Sequence, residues 1–410
     1  MRVPTVLVAG IVLLAACGGA GRRTDVHADV SRAASPATDA PPAAGAVNRF
    51  AFQLLAHQLG LSAGDVAVSP WSVAASLAMV RDGARGPTAS EINRLLSAVP
   101  DEAMNALAQQ LAARNGTFGS GSVEVDSANR VFADQGLPID NAFLNALAAN
   151  YGAAVGLAEF EHATEQARQQ INAWVSGQTH GRITALIKPG TLDPTTKLVL
   201  VNAVYLRADW QQAFHKAETA PGVFHAPGGD VTVPFMHGSE NGRHVAGPGW
   251  QAVDLDYAGD QLALAIVLPD HGAFGMVAAQ LPSVLAALDA APQDGTGGVA
   301  IPKFAVDHSL SLKQTLSALG MPTAFTDQAD FGGISSAVAL RLADVVHEAD
   351  IRVDEKGTVA AAATASEFVP VAGVLQAFVA DRPFFFLLHD RPTGVVLFAG
   401  QVTDPASANP

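Results

Sequence analysis

The chain has one cysteine in 410 residues, Cys17, so no disulfide can form within it. It is also short of positive charge, because 24 lysine and arginine residues face 38 aspartate and glutamate residues and leave a net charge of −14. Phosphate binding needs clustered lysine and arginine side chains. The composition therefore excludes a nucleic-acid partner.

Motifs for catalysis and metal binding are missing too. There is no Gly-x-Ser-x-Gly sequence of the kind that exposes a nucleophilic serine on a sharp turn. The histidines are scattered, without the His-x-x-x-His spacing that places two metal ligands on one helix face. We expect neither a hydrolase nor any other enzyme, and we assign no metal and no cofactor.

Long apolar runs are absent apart from a short one near the amino terminus. Residues 6–16 follow Met1-Arg2 and are too few to span a bilayer as a stable helix, so residues 1–16 are predicted to be an export signal. The sequence Leu-Ala-Ala-Cys at 14–17 resembles a bacterial lipobox, which implies lipid attachment at Cys17; cleavage nearby and plain secretion is the alternative. Residues 17–46, rich in Ala, Gly, Pro, Ser and Asp, are predicted to be a flexible tether.

The remaining chain, 47–405, is predicted to be one domain, since 49% of residues are apolar and neither a linker nor a repeat interrupts it. Helical periodicity occurs at 47–58, 71–81, 89–97, 101–113, 141–149 and 164–178. Strand-like runs occur at 123–132, 197–206, 231–236, 251–257, 262–268, 298–306, 350–353, 384–389 and 395–401. This order, helices first and strands later, predicts an α+β fold with antiparallel or mixed sheets.

The segment 358–368 combines small, weakly apolar residues with a strict alternation. Successive side chains of a strand point to opposite faces, so an even set and an odd set can be distinguished. The even set is small throughout: Thr358, Ala360, Ala362, Thr364 and Ser366. The odd set is Val359, Ala361, Ala363, Ala365 and Glu367. The segment lacks the residues that stabilise a loop, but its alternation would allow it to pair as a strand. This combination indicates a conformational switch in which the even set moves over a core.

This segment and many others, in order along 47–405, resemble the serpins, a family of serine protease inhibitors. The resemblance rests on the sequences at 48–55, 68–73, 83–92, 171–175, 179–183, 198–206, 301–304, 347–349, 353–373, 383–388 and 398–400. It implies eight or nine helices packed on three sheets with an exposed reactive-centre loop at about 355–380. Insertion of that loop into a sheet is a known example of strand addition and strain release in serpins.

The resemblance also implies roles for individual residues. Those of the hinge are Glu355, Gly357, Thr358, Ala360, Ala361, Ala362 and Ala363, although Glu355 with Lys356 could instead be a solvated charge pair. Those of the buried polar cluster called the shutter are Ser69, Ser72, Asn202 and His347; an ordinary hydrogen-bonded histidine is the alternative for His347. Trp210 corresponds to the breach, where insertion would begin, or is a plain core tryptophan. Thr358 is expected to wait in solvent at the loop base, so that Thr358→Arg would fold normally.

The loop is interpreted as the segment that a target protease binds and cleaves. Counting fourteen residues from Gly357 places the scissile bond after Val371, before Ala372, whereas counting back from Pro383 favours Ala372. A β-branched residue after Pro370 suits the shallow pocket of an elastase-like or subtilisin-like serine endopeptidase. We therefore expect a monomeric, exported suicide inhibitor whose partner is such a protease and whose only membrane contact is a lipid anchor. The alternative is a non-inhibitory, ligand-carrying serpin.

Overall fold

The computed structural model describes residues 24–238, 242–293, 297–358 and 378–407. In this part of the chain the α-helices are α1 (Ala40–Leu61), α2 (Pro70–Arg81), α3 (Gly86–Leu95), α4 (Asp101–Ala112), α5 (Asn141–Tyr151), α6 (Phe160–Gln178), α7 (Phe274–Ala278), α8 (Leu281–Ala290) and α9 (Lys313–Ala318). None of them is long and apolar enough to cross a membrane.

The strands of the described residues, in chain order, are β1 (Asp25–Val26), β2 (Val66–Val68), β3 (Gly116–Phe118), β4 (Gly121–Asp134), β5 (Val155–Ala158), β6 (Leu198–Asp209), β7 (Ala220–Ala226), β8 (Gly229–Gly238), β9 (Gly242–Gly247), β10 (Trp250–Asp256), β11 (Leu262–Pro269), β12 (Val299–Pro302), β13 (Phe304–Ser311), β14 (Val345–Asp354), β15 (Gly357–Thr358), β16 (Phe378–Val379), β17 (Phe384–Asp390) and β18 (Val396–Val402).

These strands form three sheets. The large sheet has the order β1-β5-β4-β6-β15-β14-β13, with β3 added to β4; the second sheet is β2-β18-β17-β11-β10-β9; the third is β16-β12-β8-β7. β17 and β11 are buried along their whole length, because they lie centrally in their sheet, with α1 and α2 packed beside it. The predicted α+β fold of three antiparallel or mixed sheets is confirmed.

One predicted strand is two strands. The run at 298–306 divides at Lys303 into β12, which pairs with β8, and β13, which pairs with β14. Proline cannot donate a ladder hydrogen bond, so Pro302 suits the end of the first strand. The backbone N–H of Lys303 donates to Pro234 O (2.9 Å) at the point where the chain passes from one sheet to the next.

The tether prediction is wrong for residues 24–46. β1 pairs with β5, Asn105 Nδ2 donates to Ala33 O (2.7 Å), and α1 begins at Ala40 rather than at Val47. Alanines in the first turns of α1 are buried, which is why an Ala-rich segment can form part of the core: Ala40, Ala43, Ala44 and Ala46. The small side chains of this segment predicted flexibility, whereas in the structure they allow close packing.

Candidate functional site

The large sheet is closed at one end and divided at the other. β14 pairs in parallel with β6 from Val345–Ala349, opposite Leu200–Val204. Beyond these five pairs, β15 lies between the two strands and is antiparallel to both. The hinge of the predicted loop therefore occupies the point where the sheet opens.

A tight turn at Asp354–Gly357 brings the chain back into this opening. The backbone N–H of Lys356 donates to Asp354 Oδ1 (2.8 Å). Gly357 has φ +153°, and a Cβ there would lie 2.0 Å from the carbonyl oxygen of Ala208. Only glycine allows β15 to approach β6 this closely.

Thr358 is already inside the sheet. It is 1% exposed, pairs with Ala208 and Val353, and its hydroxyl is 2.6 Å from the hydroxyl of Tyr257. The expectation that Thr358 waits in solvent is wrong, so the reason for expecting Thr358→Arg to fold normally no longer holds. An arginine here would bury an unpaired guanidinium in the uncleaved protein.

Trp210 lies against the hinge turn. Its indole Nε1–H donates to Asp354 O (2.9 Å), and its backbone N–H donates to Lys356 O (2.7 Å). The indole is stacked on Tyr257 with a centroid distance of 4.5 Å and an interplanar angle of 7°. This arrangement fixes the turn through two hydrogen bonds and keeps Tyr257 beneath Thr358.

Glu355 has a partner that the sequence did not identify. Its carboxylate lies 3.1 Å from Lys303 Nζ and accepts a hydrogen bond from Thr219 Oγ1 (3.0 Å). Burial acts to raise the pKa of Glu355, but hydrogen bonds from its own backbone, Lys303 and Thr219 hold that pKa below its ordinary value. The Glu355 side chain is thus a buried anchor of the hinge turn. The interpretation as a solvated pair does not fit it.

His347 joins β14 to β6 at the closed end of the sheet. It is fully buried and pairs in register with Asn202. The Nε2 atom accepts from the backbone N–H of Ser69 (3.0 Å), so Nδ1 carries the proton and donates to Asn202 Oδ1. Burial lowers the pKa of His347 to about 3, which keeps the ring neutral.

Two further residues extend this polar cluster. Asn129 on β4 accepts hydrogen bonds through Oδ1 from Asn202 Nδ2 (2.7 Å) and from Ser72 Oγ (2.8 Å), and Ser76 Oγ lies 3.4 Å from Asn202 Nδ2. Ser69 contributes its backbone N–H, while its hydroxyl is buried without a partner among the described residues. The four predicted shutter residues lie together, but Asn129 was missed because isolated asparagines carry no sequence signal.

The outer face of the closed end is covered by α6. A separate apolar cluster joins the helix to the sheet through Phe160, Ala167, Ile171, Val175, Val199, Val201, Ala203 and Val346. The even-numbered residues of β6 and the odd-numbered residues of β14 face the opposite side, where the apolar ones join the main core and Asn202 and His347 form the polar cluster. Thr358 shares that inner face, because its partners Ala208 and Val353 lie in the main core.

One group of potential metal ligands occurs within the described ranges. Glu124, Asp126 and His180 each offer a ligand atom, all within 4.8 Å of one another. His180 Nε2 already pairs with both carboxylates, at 3.2 Å and 3.3 Å. Mutual pairing accounts for the group, and no metal is assigned to it.

Several predicted site residues lie outside the described residues. These are the proposed lipid attachment site Cys17, the hinge residues Ala360, Ala361, Ala362 and Ala363, and the reactive bond between Val371 and Ala372. Their roles remain predictions. The chain re-enters the described part at β16, which pairs in parallel with β12.

Comparison with known proteins agrees with this architecture. A family model described as "Serpin (serine protease inhibitor)" matches residues 45–405. An uncharacterized serpin-like protein of Thermococcus kodakarensis is 35% identical over 375 residues, which cover 89% of this chain and 86% of that protein. The leukocyte elastase inhibitor of Homo sapiens is 32% identical over 373 residues, 87% of this chain and 98% of that protein.

A solved structure of human thyroxine-binding globulin complexed with thyroxine superposes with a TM-score of 0.77 at 26% identity, covering 90% of this chain and 99% of that one. Three sheets with a hinge strand at the opening of the largest define the class. The chain belongs to the serpin family. This membership supports protease inhibition as the general activity.

The hydroxyl of Tyr257 provides a test of the hinge geometry. Tyr257→Phe keeps the ring stacked on Trp210 but leaves the buried hydroxyl of Thr358 without its partner, which costs about 1 kcal/mol. We expect hydrogen–deuterium exchange at 354–358 to become about fivefold faster. Tyr205→Phe, which removes a phenol near His180 on the outer face, is the control and should leave exchange there unchanged. Equal exchange in both variants would show that Tyr257 does not hold the hinge.

Proposed function

We propose that the chain is a suicide inhibitor of elastase-like or subtilisin-like serine endopeptidases, cleaved between Val371 and Ala372. The observation that carries the proposal is the position of Gly357 and Thr358 between β6 and β14. A strand that has already entered a sheet can be extended residue by residue once its far end is released. Cleavage of the loop supplies that release.

The registers on the two sides of the opening are compatible. Continued from Thr358, the loop would place Ala360 opposite Leu206 and Ile351, then Thr364 opposite Asn202 and His347. Asn202 and His347 are themselves paired in the closed part of the sheet. β14 and β6 can therefore separate sideways without either strand slipping, and the loop can take up the vacated hydrogen bonds.

The even set suits the space that insertion would offer. Its side chains would share the face of Thr358 and enter the main core beside residues such as Val204 and Ala349. Small residues and hydroxyls fit between such neighbours without displacing them, whereas a charge there would need a partner. Thr364 can donate and accept hydrogen bonds, so it could bridge Asn202 and His347 after they part.

The proposed chemistry begins with the protease, not with this chain. Its serine attacks the Val371 carbonyl carbon, the bond to the Ala372 nitrogen breaks, and Val371 remains esterified to the serine. Insertion of 359–371, roughly 43 Å at about 3.3 Å per residue, would carry the protease along the sheet before water cleaves the ester. Each new backbone hydrogen bond contributes about 1 kcal/mol net.

The sequence of the reactive-centre loop determines which class of protease it suits. No lysine or arginine occurs between Lys356 and Arg382, which disfavours trypsin-like proteases. The human relative named leukocyte elastase inhibitor supports an elastase-like target. The ligand-carrying alternative, suggested by the relative that binds thyroxine, is disfavoured by the four small residues at 360–363.

A panel of elastase, subtilisin, trypsin and chymotrypsin tests the proposal. Elastase or subtilisin should form a complex with the purified protein that survives denaturing electrophoresis, and mass spectrometry should locate the new amino terminus at Ala372. Catalytically inactivated elastase is the control and should form no stable complex. If every active protease only cut the loop and remained active, inhibition by this mechanism would be ruled out.

We also propose that the protein is exported and held at the membrane by a lipid on Cys17, acting as a monomer. Cys17→Ser should either block processing or move the protein from the detergent phase to the aqueous phase in Triton X-114 partitioning, because no other cysteine can carry the lipid. Ala20→Ser, outside the Leu-Ala-Ala-Cys sequence, should partition like the wild type. Partitioning of a normally processed Cys17→Ser protein into detergent would rule out the lipid anchor.

A further inference from the structure

A cavity of about 610 Å³ lies where the end of α1 and the β7–β8 turn meet the β11–α7 connection and the residues leading into β17. Its lining includes Leu59, Pro269, Phe274, Ala278, Arg382 and Pro383. None of the lining residues belongs to β6, β14 or β15, so the proposed inhibitory mechanism does not use it. A mostly apolar cavity of this size with a few polar groups is typical of a small-molecule site.

The charged and titratable groups of the lining are mainly basic, although the chain as a whole has a net charge of −14. They are Arg382, His225 and His271, with Asp270 as the one acidic residue. Hydrogen bonding to Asp230 raises the pKa of His225. Because Asp230 pairs with His225 and Asp381 pairs with Arg382, the case for an anion rests on the geometry of the Arg382 guanidinium and not on the net local charge.

Two nitrogens of the Arg382 guanidinium donate hydrogen bonds to neighbouring residues, and the third can still donate to a ligand. Its Nε donates to Pro269 O (2.9 Å) and its Nη1 donates to Asp381 Oδ1 (2.8 Å). Its Nη2 is 3.9 Å from Asp270 Oδ1, too far for a hydrogen bond. A guanidinium fixed at two of its nitrogens can offer the third to a carboxylate at little cost in side-chain entropy.

From the apolar lining and this fixed guanidinium, we infer that the cavity binds an amphipathic anion of the fatty-acid class. The alkyl chain lies along Leu59, Phe274 and Ala278, and the carboxylate accepts a hydrogen bond from Arg382. The ligand thereby contacts the segment that connects β16 to β17, where Asp381 O accepts from His225 N–H (2.7 Å). This site is separate from the protease-binding loop and does not depend on the inhibitory function.

Calorimetric titration of the protein with sodium dodecanoate, below the micellar concentration of dodecanoate, tests the site. We expect one dodecanoate per chain and at least tenfold weaker binding of 1-dodecanol. Gly60 and Gly275 line the cavity, and a Cβ at either position meets nothing within 4 Å, so Gly60→Phe and Gly275→Phe add a bulky side chain at the cavity wall without a backbone clash. Both should weaken dodecanoate binding at least tenfold. Gly177→Phe, in open space on α6, is the matched control and should bind like the wild type.

Arg382→Gln tests the anion contact itself. It should weaken dodecanoate binding about tenfold, equivalent to about 1.4 kcal/mol, and leave dodecanol binding unchanged. The comparison of two ligands on one variant separates loss of the charge from any change in folding. Equal binding of acid and alcohol by the wild type would overturn the anion assignment. Unchanged dodecanoate binding by both Gly60→Phe and Gly275→Phe would overturn the site.

Discussion

Under the proposed mechanism, Ala362→Arg is expected to make the protein a substrate that no longer traps its protease. By the register of Gly357 and Thr358, residue 362 would enter the main core between Val204 and Ala349. A guanidinium buried there without a partner costs several kcal/mol, so insertion would lose to hydrolysis of the acyl-enzyme. We predict that Ala362→Arg is cleaved at the wild-type rate and yields at least tenfold less protease complex on denaturing gels.

Ala361→Arg is the matched control, because the same substitution one residue earlier changes the face. Residue 361 would lie on the outer face opposite Tyr205 and Asp350, and the Asp350 carboxylate, which already pairs with Arg352, gives the new charge an acidic neighbour. Ala361→Arg should form nearly the wild-type amount of complex. If the two variants trapped protease equally well, the alternation on which insertion depends would be wrong.

Loss of the His347 imidazole should destabilise the uncleaved protein by about 3 kcal/mol at pH 7. His347→Leu leaves Asn202 Oδ1 and the backbone N–H of Ser69 buried without partners, and each unsatisfied group costs about 1–3 kcal/mol. Urea unfolding followed by tryptophan fluorescence measures the effect. His162→Leu, at an exposed histidine 3.9 Å from Glu161, is the control and should change stability little.

The same pair of proteins predicts a pH dependence. The pKa of His347 is about 3 in the folded state against about 6.5 in the unfolded chain, so below pH 6.5 the unfolded state binds the additional proton. The contribution of His347 to the free energy of unfolding is fully present above pH 6.5 and falls by about 1.4 kcal/mol per pH unit below it. The deficit of His347→Leu relative to wild type should therefore shrink by about 2 kcal/mol between pH 7 and pH 5. A deficit independent of pH would mean that His347 is not held neutral.

Much of the site follows from local sequence rules. Alternation of small residues after Gly357 predicted a latent strand, and β15 is the start of one in the register that puts Thr358 on the inner face. Residues recognised by resemblance have contacts that the structure describes: Trp210 lies against the hinge turn, and His347 lies in the buried polar cluster. Both kinds of signal are carried by a few neighbouring residues, which is why they are visible without coordinates.

The remaining features depend on contacts between distant segments. Lys303 pairs with Glu355, and Asn129 with Asn202, only because the sheet order brings their strands together. Likewise, the sequence of the segment alone does not predict that Thr358 lies inside the sheet before cleavage. That position follows from the hydroxyl of Tyr257 and from the separation of β6 and β14 beyond their fifth pair.

A crystal structure of the protein cleaved within its loop would show whether the loop inserts between β6 and β14. Insertion requires a new strand that continues β15, antiparallel to both neighbours, with Thr364 between Asn202 and His347. A cleaved protein in which His347 still pairs directly with Asn202 would contradict it.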